Sequence, residues 1–268
     1  MAFSEYFGTP DQKRMQELGA CLDLLLRDDP RFVCHGRAVQ LYDFTDDAVE
    51  IVAAIARLVG VSACEDVPRA ASPDFRDRLA ALGLKTDVIS RFDGDGTAVD
   101  AARAALADRP LAEDLTIRVV GVDSPSEWLQ QFADVALPCG VLPPQGSVMR
   151  GISRPGFGMV AVDRSGRPVA TAGSVLNHSL RGPRARHAQW GQLATIPERQ
   201  GEGIAKALGA HALIHSAETL GAVHFKTGIK PGNAPSERLC TGLGLRDSGR
   251  DIVIGIDPTA FSADRMTA

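Results

Sequence analysis

Hydrophobic positions in the first part of the chain recur at helical spacing. Between residues 11 and 27, Met15, Leu18, Leu22, Leu25 and Leu26 fall on one helical face. Residues 46–59 repeat the pattern with Val49, Val52, Ile55 and Ala56, after a short strand-like run at 38–44. Residues 75–82 read as a helix stopped by Gly83, and the alternation over 87–92 reads as a strand. A turn at 94–96 leads into a helix over 97–107, which ends before Pro110.

From residue 114 the rhythm changes. Strands are expected at 115–120 and 189–196, again at 222–229, and last at 252–256. Residues 159–163 and 169–176 form a hairpin around Arg164-Ser165-Gly166-Arg167. A helix carrying Trp128, Leu129 and Phe132 should open at Asp123 or Ser124, with Pro125 in its first turn. The proline- and glycine-rich stretch 138–156 reads as a loop, mobile and on the substrate side. An amphipathic helix over 203–220 stops at Gly221, and a short one over 235–243 stops at Gly244. The pattern therefore divides the chain into residues 1–110, a helix-rich α+β accessory region, and residues 114–257.

A hydrophobic fraction of 44% with 23% charged residues suits a globular chain. The net charge of −4 leaves no basic excess for nucleic acid or a membrane surface, although Arg181, Arg184 and Arg186 cluster locally. The five cysteines are scattered without a CxxC pair, which implies free thiols and no zinc site. His211 and His215 have metal-compatible spacing but no third ligand, so no metal is expected. Residues 1–19 lack the basic-then-apolar order of a signal peptide, and no run is long enough to span a bilayer. The expectation is a cytoplasmic protein.

The richest chemistry lies in Leu193-Ala194-Thr195-Ile196-Pro197-Glu198-Arg199-Gln200-Gly201-Glu202-Gly203-Ile204-Ala205. A strand runs through Pro197 into two glycines, and a helix begins at once. The first N–H groups of a helix lack internal partners, and the dipole makes that end positive. Glycines let a phosphate approach the backbone closely, so the turn is a candidate anion site. A plain strand–turn–helix connection would also use glycines.

Gln200-x-x-Gly203-x-Ala205 resembles the Q/R-x-x-G-x-G/A signature of the GNAT superfamily of N-acetyltransferases. The preceding Leu193-Ala194-Thr195-Ile196-Pro197 is similar to that family's L-x-V-x-P strand, with Thr195 where valine is usual. About thirty residues on, Asn233 through Leu245 resembles the block N-x-x-A-x-x-L-Y-x-x-L-G-F. The resemblance covers residues 114–257. It implies an α/β GNAT acyltransferase fold, a mixed and mostly antiparallel sheet flanked by helices. It also implies acetyl-CoA as co-substrate, lying between two splayed strands.

Carried over residue by residue, the resemblance puts Leu193, Ala194 and Thr195 against the pantetheine. Arg199, Gln200, Gly201, Glu202, Gly203, Ile204 and Ala205 surround the pyrophosphate, and Asn233 and Ser236 meet the pantetheine or its thiol end. Glu198 and Glu202 are read as solvated charges around that turn. Two positions depart from the family. Cys240 stands where a tyrosine is usual, and is either an acid for the leaving thiolate or a packing residue. Gln189 stands near the glutamate base of some members. His187, on the same strand face, is the substitute base unless it is simply an exposed hairpin histidine. The implied activity is acetyl transfer to a primary amine of a small molecule or amino-acid derivative. A protein amine as acceptor, or a catalytically weak acyl-CoA-binding module, stays open, and a homodimer is allowed. Residues 78–92 resemble the helix–glycine–strand end of a GNAT repeat, so residues 1–110 are either a degenerate copy or an unrelated accessory region.

Overall fold

The computed structural model describes residues 5–263, 265 and 266; the first four residues of the N-terminal run read above lie outside them. The first half runs α1 (Pro10–Leu26), β1 (Phe32–Cys34), β2 (Val39–Leu41), α2 (Ala48–Val59), β3 (Val61–Pro68), α3 (Ser72–Ala81), β4 (Lys85–Gly94) and α4 (Gly96–Asp108). The second half runs β5 (Thr116–Val119), α5 (Ser126–Ala136), α6 (Gly146–Met149), β6 (Gly156–Val162), β7 (Pro168–Leu176) and β8 (His187–Thr195). It continues with α7 (Ile204–Leu220), β9 (His224–Ile229), α8 (Ala234–Gly242) and β10 (Arg246–Ile256).

The two halves repeat one order of elements. β2–α2–β3–α3–β4 in the first matches β8–α7–β9–α8–β10 in the second. Within each half the first two strands pair in parallel, and only briefly: at Leu41 with Cys64, and from His187 to Gln189 with His224 to Lys226. Gly83 and Gly244 end the corresponding helices, both left-handed at φ +83°, where a side chain would be strained.

All ten strands form one mostly antiparallel sheet in the order β1-β2-β3-β10-β4-β9-β8-β7-β6-β5. β10 therefore lies between β3 and β4 of the first half, while β4 pairs with β9 of the second. Each half completes the other's sheet. The core follows this interlocking. Ala98, Val99 and Ala102 of α4 share one apolar cluster with Leu208 and Leu213 of α7 and with Trp190 and Phe225 of the sheet. Phe132 and Leu129 of α5 cover the sheet with Val160 and Val162, while α2 packs on β3 through Val52 and α3 on β10 and β4 through Phe75 and Leu79.

Several expectations need correction. Leu25 is 81% exposed, because α1 turns Met15, Leu18, Leu22 and Leu26 inward instead. Ser124 does not cap α5: its Oγ accepts the Gly121 N–H, and the helix opens after Pro125. The stretch 138–156 contains α6 and is pinned, with Leu142, Val148 and Met149 buried. Arg150 fastens it by pairing with Glu5 and donating to the carbonyls of Val122 and Ser124. No helix among the described residues is long and apolar enough to cross a membrane.

Candidate active site

The site begins where β8 and β9 part. Their last paired residues are Gln189 and Lys226. Beyond them β8 kinks: Gly191 has φ +135°, and Gln192, at +58°, is the one described non-glycine residue with positive φ. Such strain persists only where the surroundings hold it. Here Thr171 Oγ1 donates to the Gln192 carbonyl at 2.8 Å, opposite a register shift in β7. A Cβ at Gly191 would stand 2.8 Å from Thr227 Oγ1, so the glycine lets the strands approach at the apex before they diverge. The part of β8 after the kink has no β9 partner, which leaves backbone groups free on that side.

The gap leads at one end to the glycine turn. Gly201 and Gly203 are left-handed at φ +83° and +84°, and α7 starts directly at Ile204. The turn is braced. Gln200 Nε2 donates to the Thr195 carbonyl at 3.0 Å, and Arg199 is held by Asp114 and Glu202. Gln200 and Arg199 therefore shape the turn, with their strongest donors already engaged. Sequence reasoning missed Arg109, whose Nη2 donates to the Glu202 carbonyl at 2.6 Å. Its guanidinium lies where a Cβ on Gly203 would come within 2.9 Å, so a cation stands over the turn.

The gap is part of one cavity of about 910 Å³ that extends from the glycine turn to residues of the first half, in the range of small-ligand pockets. Leu193, Ala194, Thr195, Arg199, Gln200, Gly201, Gly203, Ile204, Ala205, Asn233 and Ser236 all line it; Glu202 does not. Asn233 is the N-cap of α8 and accepts the Ser236 N–H at 3.2 Å. The opposite wall comes from the first half: His35, Arg37, Gln40 and Glu65. None of these four carried a signal recognised in the sequence. The mark available was a pair of charges inside an apolar strand, Glu65 and Asp66 between Cys64 and Val67, because carboxylates are seldom buried without a task.

This wall is polar and unsatisfied. Twelve buried side-chain atoms lack a hydrogen-bond partner among the described residues, and seven belong to residues lining this cavity. They are on His35, Arg37, Gln40 and Glu65 from one wall, and on Gln189, Gln192 and Thr195 from β8. Buried polar atoms are normally paired, so their convergence on one space makes it a candidate site for a polar ligand. Glu65 Oε2 receives an ion pair from Lys226, while Oε1 has no partner. Burial pushes the Lys226 ammonium well below its usual pKa.

The two catalytic candidates lie differently. His187 does not line the cavity. It sits before the apex, where the strands are still paired, stacked on His224 at 4.4 Å with His178 edge-on at 5.6 Å. Burial and the neighbouring histidine lower its pKa to about 4, so it is neutral near pH 7. Cys240 lines the cavity from α8 and is also a core residue, 3% exposed, its thiol pushed up to about 12 by burial. No group of three or more metal-binding side chains exists among the described residues.

Residues 126–245 match the family model described as the acetyltransferase (GNAT) family. The chain carries a GNAT acetyltransferase domain. The family is one of acyltransferases, and the match includes β8, the glycine turn and the Asn233 block. A GCN5-related N-acetyltransferase from Kribbella flavida is similar in structure, with a TM-score of 0.57 at 15% identity over 91% of this chain and 95% of that one. A Drosophila protein has a TM-score of 0.53 at 11% identity over 84% and 72%. A conserved protein of unknown function from Staphylococcus epidermidis has a TM-score of 0.52 at 12% identity over 82% and 84%. At such identities the likeness is one of fold. A search of curated proteins finds no match.

Proposed function

We propose that the protein transfers acetyl from acetyl-CoA to a primary amine of a small molecule. The observation that carries this reading is the junction itself: two strands splay at Gln189 and Lys226 into a cavity whose far wall is an unsatisfied polar surface.

The residues present fit an acyl-CoA. The β8 backbone around Leu193 has no β9 partner and suits the amides of a pantetheine, and the buried Thr195 Oγ1 has no partner among the described residues. The N–H groups from Gly201 to Ala205, with Arg109 and Lys206 beside them, suit a pyrophosphate. When bound, acetyl-CoA supplies an activated acetyl thioester. The protein's part is to hold the amine against it, exclude water and accept a proton.

Glu65 is the residue we assign to that last task. Its Oε1 is unpartnered on the cavity wall, and Lys226 fixes the carboxylate from behind. As the new N–C bond forms, the nitrogen becomes acidic, so a carboxylate suffices to take its proton. The C–S bond breaks at the same centre, and the departing sulfur is protonated by water or the Cys240 thiol. His187, before the apex, supports the strand pairing by its stacking.

Incubation with acetyl-CoA and a panel of primary amines, with CoA release corrected for hydrolysis, tests the reading. Amine-dependent release above the hydrolytic rate is expected. Tight acetyl-CoA binding without transfer to any amine would instead identify an acyl-CoA-binding module.

A further inference from the structure

Arg37 is out of balance with its surroundings. It lines the cavity from the turn between β1 and β2, yet forms no ion pair among the described residues. Among those residues its one polar side-chain contact is Nη1 to His35 Nε2 at 3.4 Å, and its buried Nε has no partner there. Burial lowers its pKa to about 10, which still leaves it charged at neutral pH. Arg37 is half-buried, and a guanidinium withdrawn from water in this way is normally matched by an anion.

His35 completes the arrangement. Arg37 can only donate, so His35 Nε2 is the acceptor of their contact. Burial, Arg37 and Lys226 hold the ring neutral, so its single proton stands on Nδ1, an orphaned buried donor on the same wall. Two unsatisfied donors therefore flank one space. Register explains what lies next to them. Leu41 pairs with Cys64, and both point into the core, so Gln40 and Glu65 turn to the opposite face, toward the cavity. Gln40 Oε1 and Glu65 Oε1 are the unsatisfied acceptors of that face.

We propose that the acceptor amine also carries a carboxylate, gripped by Arg37 and His35, while Gln40 and Glu65 receive its amino group. The substrate class is thus an amino acid or an aminocarboxylate of similar size. A planar guanidinium fork matches a carboxylate better than a neutral amide. This inference rests on the acetyl-transfer reading above, but its test separates the two.

Purified full-length protein is given acetyl-CoA and matched pairs: glycine and glycinamide, L-alanine and L-alaninamide, 4-aminobenzoate and 4-aminobenzamide. The expected result is at least about a tenfold higher kcat/KM for the acid of some pair, the scale of a charge-assisted hydrogen bond. For the two aliphatic pairs the amide's amine is the less basic and more of it is free at neutral pH, so an acid preference there cannot come from reactivity. Arg37→Gln should bring that ratio toward one, and Arg37→Lys should restore it in part. Calorimetry of the same acids reads the anion site without turnover. Acid binding that disappears in Arg37→Gln, with no transfer to any amine, keeps the anion site and removes the acetyl-transfer reading. Transfer that does not distinguish acids from amides overturns the anion site and keeps acetyl transfer. A tenfold loss of acetyl-CoA affinity in Arg37→Gln would move Arg37 to the cofactor and overturn the proposal as well.

Discussion

Lys226 on β9 forms a buried ion pair with Glu65 on β3, although β10 and β4 lie between those strands in the sheet. Three strand spacings of about 4.8 Å would hold a flat sheet's strands roughly 14 Å apart, so the pair requires the sheet to curl toward the cavity. The contact thus joins the strand that parts from β8 to the half that supplies the cavity's polar wall. By element order the start of α2 corresponds to the glycine turn before α7, and Asp46, Asp47 and Glu50 crowd it, where carboxylates would repel a phosphate. Strands β2 and β3 of the first half also pair in parallel only briefly, and Gln40 and Glu65 on them line the cavity.

The pair supplies the first prediction. Glu65→Gln should lower turnover by about 10²-fold or more, the usual worth of a positioned proton acceptor, with acetyl-CoA affinity nearly unchanged. Lys226→Met should chiefly destabilise, by about 3–5 kcal/mol, because it strands a buried carboxylate. The double variant Glu65→Gln with Lys226→Met removes both charges and should regain stability without regaining turnover. Melting temperature and kcat measured on all three decide. Turnover that returns together with stability would make the pair structural only.

The cofactor turn supplies the second. A Cβ on Gly201 meets nothing within 4 Å, and Asp tolerates the left-handed region better than most residues. Gly201→Asp therefore places a carboxylate at the anion site with little packing cost. Acetyl-CoA affinity should fall at least about tenfold, or ~1.4 kcal/mol. Gly203 is the poorer probe, since any side chain there strikes Arg109. Unchanged calorimetric affinity in folded Gly201→Asp protein would remove the pyrophosphate from this turn.

Much of the second half was legible because its chemistry is written in backbone requirements. Gly201 and Gly203 mark left-handed positions, Asn233 marks a cap, and the apolar runs around them fix strands and helix. The acceptor wall was not. β3 is buried over most of its length with no alternation, so period-based reading passes over it, and Glu65 goes with it. Arg37 sits in a turn without periodicity. The wall it belongs to meets the second half because strands of both halves join in one sheet, a long-range pairing that no local pattern encodes. The pinned segment 138–156 shows the same limit. Its prolines and glycines suggested mobility, whereas Arg150, reaching Glu5 and Ser124 far away in sequence, holds it down.

Two glycines separate packing from strain. Gly244 and Gly232 have nearly the same left-handed φ, +83° and +81°. A Cβ at Gly232 meets nothing within 4 Å, but one at Gly244 would lie 2.9 Å from the Ala98 Cα in α4. Gly232→Ala should cost about 1–2 kcal/mol, the price of an L residue in that region. Gly244→Ala should cost at least ~2 kcal/mol more, because backbone of the other half must move. Chemical denaturation compares them directly. Equal losses would mean that α4 does not press against this turn.

The last prediction follows from the histidines before the apex. Burial, with neighbouring positive groups, lowers the His178 pKa to about 3; His187 beside it stands at about 4. Both are neutral in the fold, facing Arg91 and Arg184, with Arg154 also near His178 and His224 and Asp93 near His187. In the unfolded chain each takes a proton near its ordinary value of about 6.5. Below that pH the unfolded state binds more protons than the folded one, so stability falls as pH falls, from about 6.5 toward 4 and, for His178, toward 3. Above pH 7 these groups contribute no slope. His178 is only 3% exposed, so its share approaches about 1.4 kcal/mol per pH unit at full proton uptake. Carboxylates titrate in the lower part of this window, so the comparison needs a variant. His178→Asn keeps the backbone carbonyl that accepts from Arg154 Nη1, and should flatten melting temperature against pH between 6.5 and 5. Parallel curves for the two proteins would mean that water reaches His178 and that the histidine cluster opens to take up its proton without unfolding.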